Sequence, residues 1–106
     1  MAAKNINAKQ YEELILGEKP VLVDFWAPWC TYCRRIGPAL DRIAESREDV
    51  LIVKVNIDEE PELARQERIE VIPTLVVYQE GFELGSIVAP ESKARIDAFL
   101  QEVLEK

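Results

Sequence analysis

Cys30 and Cys33 are the only two thiols in the chain, and they stand two residues apart. Thiols at that spacing can bridge and reopen, so the pair has the make-up of a redox couple. They follow the apolar run Val21-Leu22-Val23-Asp24-Phe25-Trp26 and precede a stretch in which Ile36, Leu40, Ile43 and Ala44 recur at helical spacing. A turn from a buried strand into a helix is where functional sites collect in open α/β sheets. Cys30 then falls at the helix N-terminus, where free N–H groups and the positive end of the dipole favour a thiolate, so it is the candidate nucleophile. Cys33, one turn on and in phase with Ile36 and Leu40, is expected to point inward. The chemistry is attack by Cys30 on a substrate disulfide, followed by attack of Cys33 on the mixed disulfide, which frees a dithiol and leaves Cys30 bonded to Cys33.

Other readings of the pair are weaker. Two cysteines that merely pack together need no such spacing at a strand-to-helix turn. With no histidine and two cysteines, the chain cannot supply four soft ligands to zinc. A cluster shared between two chains meets the same shortage of ligands. The balance of 13 basic and 20 acidic side chains leaves a net charge of −7, which repels phosphate backbones; no nucleic-acid role is expected. No apolar run approaches the roughly 18 residues that span a bilayer, so no membrane role is expected either. Met-Ala-Ala-Lys-Asn lacks the apolar segment of a secretory signal, which makes the cytoplasm the default compartment. Under reducing conditions a close cysteine pair is catalytic or metal-binding rather than a static staple.

Two charges interrupt runs that otherwise read as buried strands: Asp24 within residues 21–26 and Lys54 within Val50 to Ile57. Buried charges need partners. A strand, a helix and a strand in that order form a right-handed crossover, so the two strands are expected to lie parallel and could bring Asp24 near Lys54. Asp24, desolvated and raised in pKa, could then exchange a proton with Cys33 while Lys54 tunes it. A strand-end carboxylate beside a snorkelling lysine remains the plainer alternative.

The positioning elements read as one domain over residues 1–106, α/β in class. Asn7 can cap a helix from Ala8 to Leu16, ended by Gly17, with a short strand near Asn5 and Ile6 before it. The helix after the cysteines is expected to run to about Arg47 with a kink at Pro38. Asp58 to Gln66 reads as a short acidic helix, and Thr74 to Gln79 and Leu84 to Val88 as a hairpin across Glu80-Gly81-Phe82. Ser92 can cap a last helix with the stripe Ile96, Phe99, Leu100, Val103, Leu104. Pro73 opens a strand, an ordinary place for proline, and only about 5–6% of X-Pro bonds in folded proteins are cis.

The run VDFWAPWC, the CxxC, Gly37-Pro38, LIVKVNID, VIPTLVVY and the terminal amphipathic helix together resemble the thioredoxin family over almost the whole chain. The resemblance implies a thioredoxin fold, with a central mixed β-sheet flanked by helices on both faces, and protein disulfides as substrates. It implies Cys30 as nucleophile, Cys33 as resolving thiol, Asp24 as buried acid/base and Lys54 as its neighbour. It further implies that Pro73 is cis and that Trp29, Tyr32, Ile72 and Pro73 rim a groove where a substrate segment pairs with the backbone. No cofactor is expected to bind; electrons would come from a flavin-containing, NADPH-dependent reductase of the thioredoxin-reductase type, and the chain is expected to act as a monomer. The usual family pattern has Gly-Pro between the cysteines, where this chain has Thr31-Tyr32, a change towards glutaredoxins and some disulfide isomerases. A less reducing couple is expected, each ~30 mV being about 1.4 kcal/mol. Val71 and Ala89 stand where the family usually has glycine, which is expected to narrow the groove. A binding module without catalysis is the alternative from another class.

Overall fold

The structure is a computed structural model and describes residues 2–105. Its elements are β1 (Lys4–Asn5), α1 (Ala8–Ile15), β2 (Val21–Trp26), α2 (Thr31–Ser46), β3 (Leu51–Asn56), α3 (Pro61–Gln66), β4 (Thr74–Gln79), β5 (Phe82–Val88) and α4 (Lys93–Leu104). The strands form one sheet in the order β1-β3-β2-β4-β5. β1, β3 and β2 run parallel, and β4 and β5 run antiparallel to their neighbours, so the sheet is mixed as expected.

The near-continuous apolar runs of β2 and β4 are explained by burial on both faces. Val21, Val23 and Phe25 meet Tyr11 of α1 and Leu63 of α3, while Leu22 and Leu75 meet Ile36, Leu40 and Ile43 of α2 and Ile96, Phe99 and Leu100 of α4. Each of these large side chains contributes about 1.5–3 kcal/mol by leaving water. α4 closes on β5 because Gly85 carries no side chain: a Cβ there would lie 2.7 Å from Val103 Cγ1.

Several boundaries differ from expectation for local reasons. α1 is held by a reciprocal capping box between Asn7 and Gln10. α3 starts at Pro61, not at Asp58, because the Asn56 side chain accepts the Asp58 N–H at 2.9 Å and the Asn56 carbonyl accepts from Glu59 and Glu60. That turn uses up the residues that read as a first helical turn. The hairpin turn is tighter than expected, because Glu80 (φ 52°) and Gly81 (φ 85°) both take left-handed backbone and let Phe82 pair with Gln79. α2 continues through Pro38 to Ser46. No helix among the described residues is long and apolar enough to cross a membrane.

Candidate redox site

The site lies where β2 ends and α2 begins. Cys30 is the N-cap of α2, with extended backbone (φ −85°, ψ 106°), and its Sγ accepts the Cys33 N–H at 3.1 Å. A sulfur in that place sits against the free N–H groups of the first turn, which stabilise negative charge on it. The two cysteines are bridged, with Cα atoms 5.2 Å apart. Cys30 is partly exposed, whereas Cys33 is 1% exposed and, like Ile36 on the next turn, buried. The inward phase read from the helical spacing is therefore what the fold adopts.

Asp24 is wholly buried, on the sheet face that carries Leu22 and is covered by α2, towards the end of β2 that leads to Cys30. Neither of its carboxylate oxygens has a hydrogen-bond partner. Burial pushes this carboxyl up to about 7, and the positive charge of Lys54 pulls the other way. β2 and β3 are parallel and place Asp24 directly opposite Lys54. The lysine nevertheless does not ion-pair with the carboxylate among the described residues; its Nζ lies 4.2 Å from the centroid of the Trp26 ring. Trp26 in turn donates its indole N–H to Asn5 Oδ1 at 2.8 Å. Lys54 therefore lies close enough to act on Asp24 by charge while its head rests on an aromatic face.

Around the cysteines, Trp29 is 67% exposed and donates its indole N–H to the Asp58 carboxylate at 3.0 and 3.2 Å. Phe25 pairs with Thr74, so the chain entering β4 through Ile72 and Pro73 passes the end of β2. The Ile72-Pro73 bond is cis, Ile72 is half-buried and Pro73 is buried. Tyr32 is half-buried and donates its hydroxyl to the Pro90 carbonyl at 2.7 Å, so its polar end is turned to the chain itself. Ala89 has left-handed backbone (φ 44°) and donates its N–H to the Pro73 carbonyl at 2.9 Å. Val71, the other position where glycine is usual, is 55% exposed.

Sequence reasoning missed Asp58, the Pro90 carbonyl and Asn5 as partners of Trp29, Tyr32 and Trp26. A tryptophan or tyrosine beside a site needs a partner for its N–H or O–H, but nothing local in the sequence says which residue supplies it. Among the described residues no group of three or more His, Cys, Asp or Glu is placed to hold a metal ion.

Residues 2–102 match the thioredoxin family model. The chain belongs to the thioredoxin family. A thioredoxin from Alicyclobacillus acidocaldarius is 38% identical over 105 residues, covering 98% of this chain and all of that protein. A bifunctional thioredoxin reductase/thioredoxin from Mycobacterium leprae is 36% identical over 99 residues, which is 92% of this chain and 22% of that longer protein. Among solved structures, a thioredoxin from Malassezia sympodialis superposes with a TM-score of 0.87 at 28% identity, covering 96% of this chain and 93% of that one. With a bridged CxxC at the head of α2, the chain is a protein thiol–disulfide oxidoreductase of thioredoxin fold.

Proposed function

We propose that this chain reduces protein disulfides, with Cys30 as the attacking thiolate and Cys33 as the thiol that resolves the mixed disulfide. The observation that carries the assignment is the contrast in access: a partly exposed sulfur at the helix N-cap and a companion 1% exposed behind it. Cys30 attacks one substrate sulfur and expels the other as a thiolate. Cys33 then attacks Cys30, the second substrate sulfur leaves, and two electrons have passed from the cysteine pair to the substrate. The Cys33 proton must go somewhere as it attacks, and Asp24, poised near neutral pH, is the acceptor. Lys54 tunes that carboxyl by its charge.

Trp29, Ile72, Pro73 and Tyr32 border the groove that receives the substrate segment. The cycle closes when a flavin-containing, NADPH-dependent reductase reopens the Cys30–Cys33 bridge. The fused reductase of the Mycobacterium leprae relative supports that pairing of activities. No cofactor on this chain is needed for thiol–disulfide exchange. The reading takes residues 1–106 as one domain acting as a monomer, in a reducing compartment such as the cytoplasm, where a catalytic pair keeps cycling. Thr31-Tyr32 between the cysteines makes the couple less reducing than one with Gly-Pro.

Insulin disulfide reduction by dithiothreitol tests the reading. The wild type is expected to accelerate it, Cys30→Ser to lose the acceleration, and Cys33→Ser to accumulate covalent adducts with substrate. No acceleration by the wild type, or equal acceleration by Cys30→Ser, would leave a binding module as the better account.

A further inference from the structure

The tyrosine inside the CxxC motif makes a contact that reaches 58 residues along the chain. Tyr32 Oη donates to the Pro90 carbonyl at 2.7 Å. Pro90 is buried and follows Ala89, whose backbone is left-handed (φ 44°) and whose N–H donates to the Pro73 carbonyl at 2.9 Å. Two hydrogen bonds therefore link three segments in series: the first turn of α2, the loop between β5 and α4, and the chain entering β4.

The middle segment of that series is the one that needs holding. An alanine at positive φ lacks the freedom of glycine and relaxes towards negative φ if nothing opposes it. Relaxation there would swing the Ala89 N–H away from Pro73 and change the wall along which a substrate lies. The Tyr32 ring packs against the α2–α4 core, so its hydroxyl is presented from a fixed base. It meets a carbonyl in a part-buried setting, where water competes poorly for the bond.

We propose that Tyr32 is a positioning residue: through the Pro90 carbonyl it braces the Ala89–Pro90 loop against the active-site helix and so keeps the substrate groove in its binding shape. This deepens the reading of the site as a protein-disulfide reductase. It also gives the Thr31-Tyr32 pair a task in substrate recognition, separate from its effect on the couple. The brace acts on the groove, not on the sulfur, so it serves docking of a protein segment more than the exchange step itself.

The test is Tyr32→Phe, which keeps the ring and removes only the hydroxyl. In the oxidised protein, amide hydrogen exchange at Ala89 is expected to speed up at least tenfold relative to the wild type, while exchange in β2 and β3 changes less than twofold. This measurement needs no turnover, so it judges the brace even if the chain reduces nothing. In insulin reduction, KM is expected to rise at least threefold while kcat falls by less than half. Unchanged exchange at Ala89 overturns the proposal, and so does a loss confined to kcat.

Discussion

On the sheet face covered by α1 and α3, the hydroxyl of Tyr78 donates to the Glu67 carboxylate at 2.7 Å, and Tyr11 packs edge-on against it with ring centroids 5.5 Å apart. On the face covered by α2, Asp24 is buried with both carboxylate oxygens unpartnered. Both faces therefore hold an ionisable group out of water, but burial acts on them differently. It pushes both phenols above their usual range, so they stay neutral at every working pH; even the unpartnered Tyr11 hydroxyl costs the fold a single desolvated O–H. It pushes the carboxyl to about 7, into the range where a proton can move in either direction. A buried polar group that is settled contributes to packing, whereas one left at its titration point can do chemistry.

The comparison breaks most visibly in kinetics. Asp24→Asn is expected to slow mixed-disulfide resolution on the order of 10²-fold at pH 8, the usual worth of a positioned general base. The rise of the wild-type rate with pH through about 7 is expected to vanish in the variant. Tyr78→Phe on the opposite face is expected to change the same rate less than twofold. Rapid-mixing kinetics of adduct resolution from pH 5 to 9 checks both, and a surviving pH step in Asp24→Asn would remove Asp24 from the mechanism.

Stability sharpens the same contrast. An aspartate free of the fold titrates near 3.8, and Asp24 within it near 7. Between those values the folded chain keeps a proton that the unfolded chain has released, so this group's contribution to stability falls as pH rises from about 4 to about 7 and is level above. The span amounts to about 4 kcal/mol. Asp24→Asn is therefore expected to be more stable than the wild type at pH 8, with the advantage shrinking as pH falls to 5. Tyr78→Phe is expected to lose about 1.5–3 kcal/mol at both pH values, because the lost bond is to a carboxylate. Urea titrations at the two pH values measure both; an Asp24→Asn advantage of equal size at pH 5 and 8 would mean that the carboxyl is not shifted.

Much of this arrangement was legible in the residues. The bounds of β2 followed from an apolar run with no alternation, those of β4 from the Gly-bearing turn after it, and the parallel direction of β2 and β3 from the crossover rule. The inward turn of Cys33 followed from its phase with Ile36. The destinations of long side chains were not legible. Parallel register sets where the Lys54 backbone lies, but a four-carbon stem can reach either a carboxylate or an indole, and here it takes the indole. Asp58 to Glu60 read as part of a short acidic helix, while the competing bond to the Asn56 side chain left no periodic trace. The partner of Tyr32 depends on a loop whose position only the assembled fold determines.

The main chain carries a smaller version of the contrast between the site and the rest of the fold. At Glu80 the left-handed backbone lies in a turn beside a glycine, where the hairpin geometry calls for it. At Ala89, where glycine is usual, the left-handed backbone lies beside the site and holds a hydrogen bond to Pro73. An L side chain in that region costs about 1–2 kcal/mol, and glycine removes the cost while giving back part of it through a freer unfolded chain. Ala89→Gly is thus expected to stabilise the fold by about 0.5–1 kcal/mol. The gain should be the same at pH 5 and pH 8, since no proton is involved, unlike the gain from Asp24→Asn. A urea midpoint for Ala89→Gly at or below that of the wild type would show that the loop is relaxed as it stands, and that the strain assigned to this side of the molecule lies in the carboxyl alone.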